Sequence, residues 1–299
     1  MIPGDFEYKR PTSKGEALSM LANQNSEVRA LSGGHSLLPM MKLRMAVPEI
    51  LVDISSLSEL KGISVGKEIE IGASVTQHEM IQSEELFKAC PIIRETSQLI
   101  ADPQIRYCGT LGGNVGNGDP GNDMPGLMQC LDAIYVLESV SSSREVAARD
   151  YYQGAYFTSA QPGEIVTKIK FKTPNAAHGF AYQKLKRKVG DYATAAAAAI
   201  IEVSKGEVKY ASIALTNLAD TPLYAAKASQ LLIGTKLSDA DIKSAATAAR
   251  EIAAPIADGR GTVEYKKAMT EVMVSRALQL AKSRAGEAKK GGVMGWLKR

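Results

Sequence analysis

Residues 68–73, EIEIGA, alternate charged and apolar side chains, the period-two signature of a strand with one face buried and one in water. The run EILVDIS (49–55) reads as a buried strand, and EVRALS (27–32) as another that feeds a glycine pair. Helical patterning predicts helices over 15–23, 76–88 and 92–100. MPGLMQCLDA (124–133) is a further one, with Asp123 standing where a residue would cap its first turn. AIYVLES and REVAARD flank VSSS and read as a hairpin.

At FKTPNAAHGF (171–180) the texture changes, and a domain boundary is placed there. Beyond it come strands near 180–185 and 209–215 and helices near 239–254 and 263–283. ATAAAAAIIEV (193–203) supports two readings. Alanine propensity favours a helix, whereas the Ile-Ile-Glu-Val ending and the Lys-Gly-Glu turn after it suit a strand. The last stretch, GEAKKGGVMGWLKR (286–299), carries several glycines and the sole Trp, and is predicted to be a flexible basic tail.

The chain has 299 residues, 45% hydrophobic and 23% charged, enough for two or three units with real cores. A net charge of +4, with both signs interleaved, is not the clustered basic face of a nucleic-acid binder. No apolar run reaches membrane-span length and the N terminus lacks a secretory pattern, so a cytoplasmic location is expected. Three widely spaced cysteines (Cys90, Cys108, Cys130) and no CxxC disfavour a disulfide scaffold, a zinc ribbon or a four-thiolate iron–sulfur cluster. The three histidines are isolated, which disfavours a His-based metal site. Redox chemistry in such a chain would need an organic cofactor.

Two glycine-rich stretches carry the candidate chemistry: LSGGHSLLP (31–39) and GTLGGNVGNGDPGND (109–123). Paired glycines permit positive φ and remove both Cβ atoms, so successive N–H groups can converge on one anion. Ser32 and Ser36 add hydroxyls to Gly33, Gly34, His35 and Leu37; Thr110 and Asn114 do the same for Gly112 and Gly113. Each stretch alone is an ordinary turn, but the two together point to a diphosphate held from two sides. GNGDPG (116–121) matches G-x-G-x-x-G, yet Pro120 and the loop-like TLGGNV before it exclude the Rossmann context. Asp119 reads as a turn former, while Asp123 is placed to accept a hydrogen bond from a sugar or ribityl hydroxyl. For His35 a local backbone bond is preferred over catalysis, since no partner acid stands nearby in sequence. In KLKRKVGDYATA (184–195) a charged run that begins at Lys184 is broken by Gly190-Asp191-Tyr192, a turn that presents a ring suited to stacking on a flat cofactor.

With these pieces the sequence resembles the FAD-binding medium subunits of the xanthine dehydrogenase and carbon monoxide dehydrogenase family. SGGHSLLP is similar to the first FAD loop of that family and TLGGN to the second; Ser32 stands where Ala is common. The resemblance is strongest to the molybdenum-copper, carbon monoxide-oxidising branch, through PIIRETSQLIADPQIRYCGT, ARDYYQGAYFT and KLKRKVGDYATAAAA. It implies a p-cresol methylhydroxylase-like FAD-binding domain of two α+β subdomains (1–55 and 56–174). A C-terminal α+β domain with an antiparallel sheet (175–285) follows, which makes the alanine run a strand. It implies FAD held by Ser32, Gly33, Gly34, His35, Ser36 and Leu37, with Thr110, Gly112, Gly113 and Asn114 opposite, Asp123 and Lys184 as further FAD-contacting residues, and the Tyr192 ring lying over the isoalloxazine. The partners implied are a large molybdoprotein subunit with a molybdenum-copper cofactor and a small iron–sulfur subunit with two [2Fe–2S] clusters. A dimer of heterotrimers at the inner face of the cytoplasmic membrane would then feed a quinone or cytochrome. The primary substrate would be oxidised on the large subunit; alternatives are a purine, an N-heterocycle or an aldehyde, or a stand-alone FAD oxidase. The absence of an inserted cysteine cluster argues against the 4-hydroxybenzoyl-CoA reductase branch.

Overall fold

The computed structural model describes residues 2–23 and 26–285; the basic tail expected at 286–299 lies outside the described residues. At the N terminus are strands β1 (Glu7–Lys9), β2 (Val28–Leu31) and β3 (Ile50–Asp53) and helices α1 (Lys14–Leu21) and α2 (Leu37–Lys42). β1 and β2 both lie parallel to the central β3. Parallel pairing sets Leu31 opposite Asp53, so the chain leaving β2 enters SGGHS at the carboxyl edge of the sheet. Helix α1 begins at Ser13, whose side chain accepts from the Glu16 N–H. It buries Ala17, Leu18 and Leu21 in one core with Val52 and Ile54.

The middle of the chain supplies β4 (Ile63–Val65), β5 (Glu68–Gly72), α3 (Gln77–Gln82), α4 (Glu84–Ala89), α5 (Pro91–Leu99), α6 (Pro103–Cys108), α7 (Leu111–Gly116) and α8 (Asp123–Cys130). It continues with the hairpin β6 (Ile134–Glu138) and β7 (Ser143–Ala147), α9 (Ala148–Tyr151), the short pair β8 (Tyr152–Gly154) and β9 (Phe157–Thr158), and β10 (Ile165–Lys172). An antiparallel sheet in the order β4-β5-β10-β6-β7 results. The helix expected over 76–88 is two helices, because Ser83 ends α3 and its hydroxyl caps α4, accepting from the Leu86 N–H at 3.2 Å. TLGGN, read as a loop, is instead the start of helix α7. Three of the six α7 residues are glycine, a composition that disfavours a helix. The helix is imposed from outside: Thr110 caps it, accepting from the Gly113 N–H at 3.0 Å, and the Gly112 N–H bonds the Ala73 carbonyl at 2.8 Å.

The remainder forms β11 (Gly179–Leu185), β12 (Ala195–Ser204), β13 (Glu207–Thr216), β14 (Leu223–Tyr224), α10 (Ala226–Leu232), α11 (Asp239–Glu251) and α12 (Val263–Arg284). The sheet is antiparallel in strand order, and the alanine run is its strand β12. Burial on both faces overrides helical propensity there. Ala195, Ala197, Ala199 and Ile201 join the core made with α11 and α12, while Ala196, Ala198 and Ile200 join the core that holds α5 and α8. Small side chains let helices approach this sheet closely from either side. At Gly179 a Cβ would stand 2.0 Å from the Ala281 carbonyl oxygen of α12. Gly179→Ala is therefore expected to destabilise the protein by about 1–3 kcal/mol, an overpacking cost. A denaturant midpoint equal to that of the unmodified protein would show that α12 yields freely.

Candidate functional site

The two glycine segments, one leaving strand β2 and the other lying between helices α6 and α8, meet. At Gly33 a Cβ would stand 2.3 Å from the Cys108 carbonyl oxygen and 2.8 Å from the Gly109 Cα, so only glycine permits this approach. Beside that contact the Ser32 and Thr110 hydroxyls lie 2.8 Å apart. The second segment is itself fixed to the link between β5 and α3, since the Gln77 N–H bonds the Gly109 carbonyl and the Leu111 N–H bonds the Val75 carbonyl. Among the described residues, the backbone N–H groups of Gly33, Gly34, His35 and Ser36 have no acceptor. Gly34 turns the chain at φ +74°. Residues 32–37 and 110–114 contain no aspartate or glutamate, so the two segments offer hydrogen-bond donors and no carboxylate of their own. Such a donor set suits an anion.

Below the second segment, Asn114 links α7 to α8. Its side-chain oxygen accepts from the Met124 N–H at 3.3 Å, and its carbonyl accepts from the Asn122 amide at 2.9 Å. The expected cap at Asp123 is corrected here. Asn122 holds the N-cap position, and Asp123 sits inside the first turn with its carboxylate turned to β11. One oxygen accepts from the Tyr182 hydroxyl and the other from the Lys184 ammonium, both at 2.7 Å. The Lys184 side chain is 2% exposed and that of Asp123 6%. Burial pushes the Asp123 carboxyl above its ordinary range, against the opposing pull of the Lys184 ammonium and the Tyr182 hydroxyl. Burial and the adjacent Asp123 push the Tyr182 hydroxyl well above a free phenol.

The third segment reaches the second through Tyr192. Its ring lies 3.0 Å from where a Cβ on Gly121 would stand, in the link between α7 and α8. Tyr192 is 44% exposed, so the ring covers Gly121 on one side and is open on the other. The Tyr192 N–H bonds the Asp191 carboxylate at 2.9 Å. That carboxyl is held down to about 2 by the Arg260 guanidinium, with Arg187 also pulling it down and burial opposing.

Of the residues expected at the site, Ser32, Gly33, Thr110 and Gly113 are brought together directly. Asp123 and Lys184 form one ion pair, reached from Asn114 through α8, and Tyr192 packs on the same connection. Gly112 faces Ala73, whose Cβ would lie 2.5 Å from a Cβ added to it, and so shapes the packing of α7. Gly34 is flanked by Leu31 and Leu38. His35 is exposed, Ser36 precedes α2 without a side-chain cap bond, and Leu37 begins that helix half-buried. GNGDPG follows helix α7, not a strand, in keeping with the rejection of a Rossmann site. Sequence reasoning missed Tyr182, although period-two alternation along β11 puts Tyr182 and Lys184 on one face. It also missed Arg260, which no motif marks.

Comparison with known proteins gives concordant matches. A family model described as the FAD binding domain in molybdopterin dehydrogenase matches residues 4–174, and one for the CO dehydrogenase flavoprotein C-terminal domain matches residues 180–281. The carbon monoxide dehydrogenase medium chain of Afipia carboxidovorans is 54% identical over 95% of this chain and 99% of that protein. The medium chain of the same name from Hydrogenophaga pseudoflava is 42% identical, over 95% of this chain and 99% of its own length. Among solved structures, the cyanide-inactivated Cu,Mo-CO dehydrogenase matches with a TM-score of 0.94 and 54% identity, covering 95% of this chain and 100% of that one.

Proposed function

The chain belongs to the family of FAD-binding proteins of the molybdopterin dehydrogenases, and on that premise we propose that it is the FAD-carrying medium subunit of an aerobic carbon monoxide dehydrogenase. The observation that carries the reading is the meeting of two glycine segments, one after strand β2 and one between α6 and α8, where backbone N–H groups of 33–36 lack acceptors and the Ser32 and Thr110 hydroxyls adjoin. The extended similarity to carbon monoxide dehydrogenase medium chains supports the choice of substrate.

In this reading Ser32, Gly33, Gly34, His35, Ser36 and Leu37 hold the diphosphate side of FAD, and Thr110, Gly112, Gly113 and Asn114 close on it from opposite. Asp123, paired with Lys184, gives the site a rigid floor, and Tyr192 lies against the ring system. The fit rests on the donor set: two segments that carry no carboxylate of their own match the diphosphate charge. When bound, FAD supplies redox chemistry in steps of one or two electrons. The chain itself binds and orients that carrier and takes no part in oxidising the primary substrate. For CO + H2O → CO2 + 2 H+ + 2 e−, that oxidation is assigned to a large molybdoprotein subunit with a molybdenum-copper cofactor.

The same reading places a small subunit with two [2Fe–2S] clusters upstream of this chain and a quinone or cytochrome downstream. Two such heterotrimers would form a dimer at the inner membrane face. No helix among the described residues is long and apolar enough to cross a membrane. A division into units at 1–55, 56–174 and 175–285 is part of the proposal.

The test is the visible spectrum of the complex purified through this chain, kept anaerobic, before and after CO. Bleaching of the flavin band by CO is expected. A flavin band that ignores CO would retain the flavin subunit and move the substrate to a purine, a heterocycle or an aldehyde. A complex without flavin would overturn the reading.

A further inference from the structure

The segment 187–191 and the turn 258–261 are bound together by more charge than a connecting turn requires. The Asp191 carboxylate, whose side chain is 7% exposed, accepts from Arg260 at 2.8 Å and from the Arg187 Nε at 3.2 Å. Arg187 reaches back and donates to the Gly259 carbonyl at 3.0 Å, so the contact is made in both directions. The turn is itself made rigid. Asp258 and Gly261 exchange backbone hydrogen bonds at 3.1 Å each, and the Asp258 carboxylate accepts from the Arg260 N–H at 2.8 Å. Beneath it the Lys266 side chain, 3% exposed, bonds Asp258 at 2.9 Å and the Ile256 carbonyl at 2.8 Å. A buried ammonium is costly unless fully paired, and here its pairing fastens a short surface turn.

What this clamp holds is Asp191, and Asp191 holds the backbone of Tyr192. The Arg260 guanidinium carbon also lies 5.7 Å from the Tyr192 ring centroid, within cation–π reach. Gly190, at φ +82°, starts the turn against Ala101. The ring is thus fixed from its backbone and approached from the Arg260 side, while Gly121 limits it on another. An exposed tyrosine on a flexible turn would sample several rotamers; these contacts select one.

We propose that Arg260, acting through Asp191, is a positioning residue that holds the Tyr192 ring in place against the cofactor site. The inference rests on the reading of Tyr192 as the ring that lies on FAD. It adds that the C-terminal turn between α11 and α12, remote in sequence from both glycine segments, controls how that ring is presented.

The experiment compares flavin emission from the FAD-loaded complex containing the unmodified chain, Tyr192→Ala, Arg260→Ala, Arg260→Lys or Asp191→Asn, each normalised to bound flavin. An electron-rich phenol ring in contact with an excited flavin quenches its emission by electron transfer, so Tyr192→Ala should raise it. Arg260→Ala and Asp191→Asn should give most of that rise at unchanged flavin content. Arg260→Lys, which keeps the ion pair, should return emission towards the unmodified level. Where Arg260→Ala fails to fold, Asp191→Asn decides the matter. Emission at the unmodified level in the folded Arg260 or Asp191 variants, with Tyr192→Ala raised, would overturn the positioning role alone. No rise in Tyr192→Ala would overturn the placement of the ring on FAD, and the inference with it.

Discussion

Gly33→Val should leave a folded chain that no longer retains FAD. Its Cβ would enter a space 2.3 Å from the Cys108 carbonyl oxygen and 2.8 Å from the Gly109 Cα, and both obstacles are backbone. Neither can rotate away, so the two glycine segments must separate. Separation breaks the Ser32–Thr110 hydroxyl contact and moves the N–H groups of 33–36 away from the second segment. We expect the FAD dissociation constant to rise at least about 100-fold, or about 2.7 kcal/mol. Gly34→Val should do less through contact, because its nearest neighbours are the flexible side chains of Leu38 and Leu31. Its cost comes from φ +74°, a conformation that a β-branched residue avoids. The two glycines look alike in sequence, and the structure ranks them. Titration of flavin-depleted protein with FAD, with circular dichroism to establish folding, measures that ranking. Stoichiometric flavin at unchanged affinity in Gly33→Val would refute the two-segment site.

The difference between what the sequence disclosed and what it withheld follows the range of the interactions. Strands β3 and β5 and the hairpin β6–β7 were legible because burial on one or both faces writes a period into neighbouring residues. The glycine pairs stood out as candidate anion-binding segments for the same local reason. Helix α7 was not, since its stability comes from Thr110 and from close packing on Ala73, neither of which outweighs three glycines in a propensity reading. The alanine run was undecided from its residues alone, because strand burial against α8 on one face and α12 on the other is a tertiary fact; the family resemblance had already implied a strand. Asp123 was expected to cap α8, but Asn122 holds that position and the Asp123 carboxylate pairs with Lys184. A cap is local, whereas the Lys184 ammonium is brought to it by the packing of α8 on the β11–β13 sheet. Arg260 reaches Asp191 across an even longer separation, with no pattern to announce it.

The ion pair of Asp123 and Lys184 gives the largest expected effect on stability. Both side chains are nearly inaccessible, so Lys184→Met leaves a carboxylate buried without its counter-charge, with Tyr182 as its remaining side-chain donor. Losing one partner of a buried pair costs about 3–5 kcal/mol. The pH dependence has a definite sign. Burial already raises the Asp123 carboxyl, and removal of the opposing Lys184 ammonium raises it further. An acid raised in the folded state takes a proton more readily there than in the unfolded chain. Its penalty is therefore absent below the unfolded carboxyl range, about pH 4, grows as pH rises towards the raised folded value, and is constant above it. The deficit of Lys184→Met relative to the unmodified protein should be greatest at neutral pH and should shrink on acidification. Asp123→Asn strands the ammonium instead, and since an amide takes up no proton in this range, acid should not restore it. Replacing both residues, Asp123→Asn with Lys184→Met, removes the stranded charge and should recover much of the loss. Denaturant midpoints of the three variants between pH 5 and pH 8 separate these cases. A Lys184→Met deficit below about 1 kcal/mol that does not change with pH would mean that water reaches Asp123 and screens it, in the manner of an exposed pair.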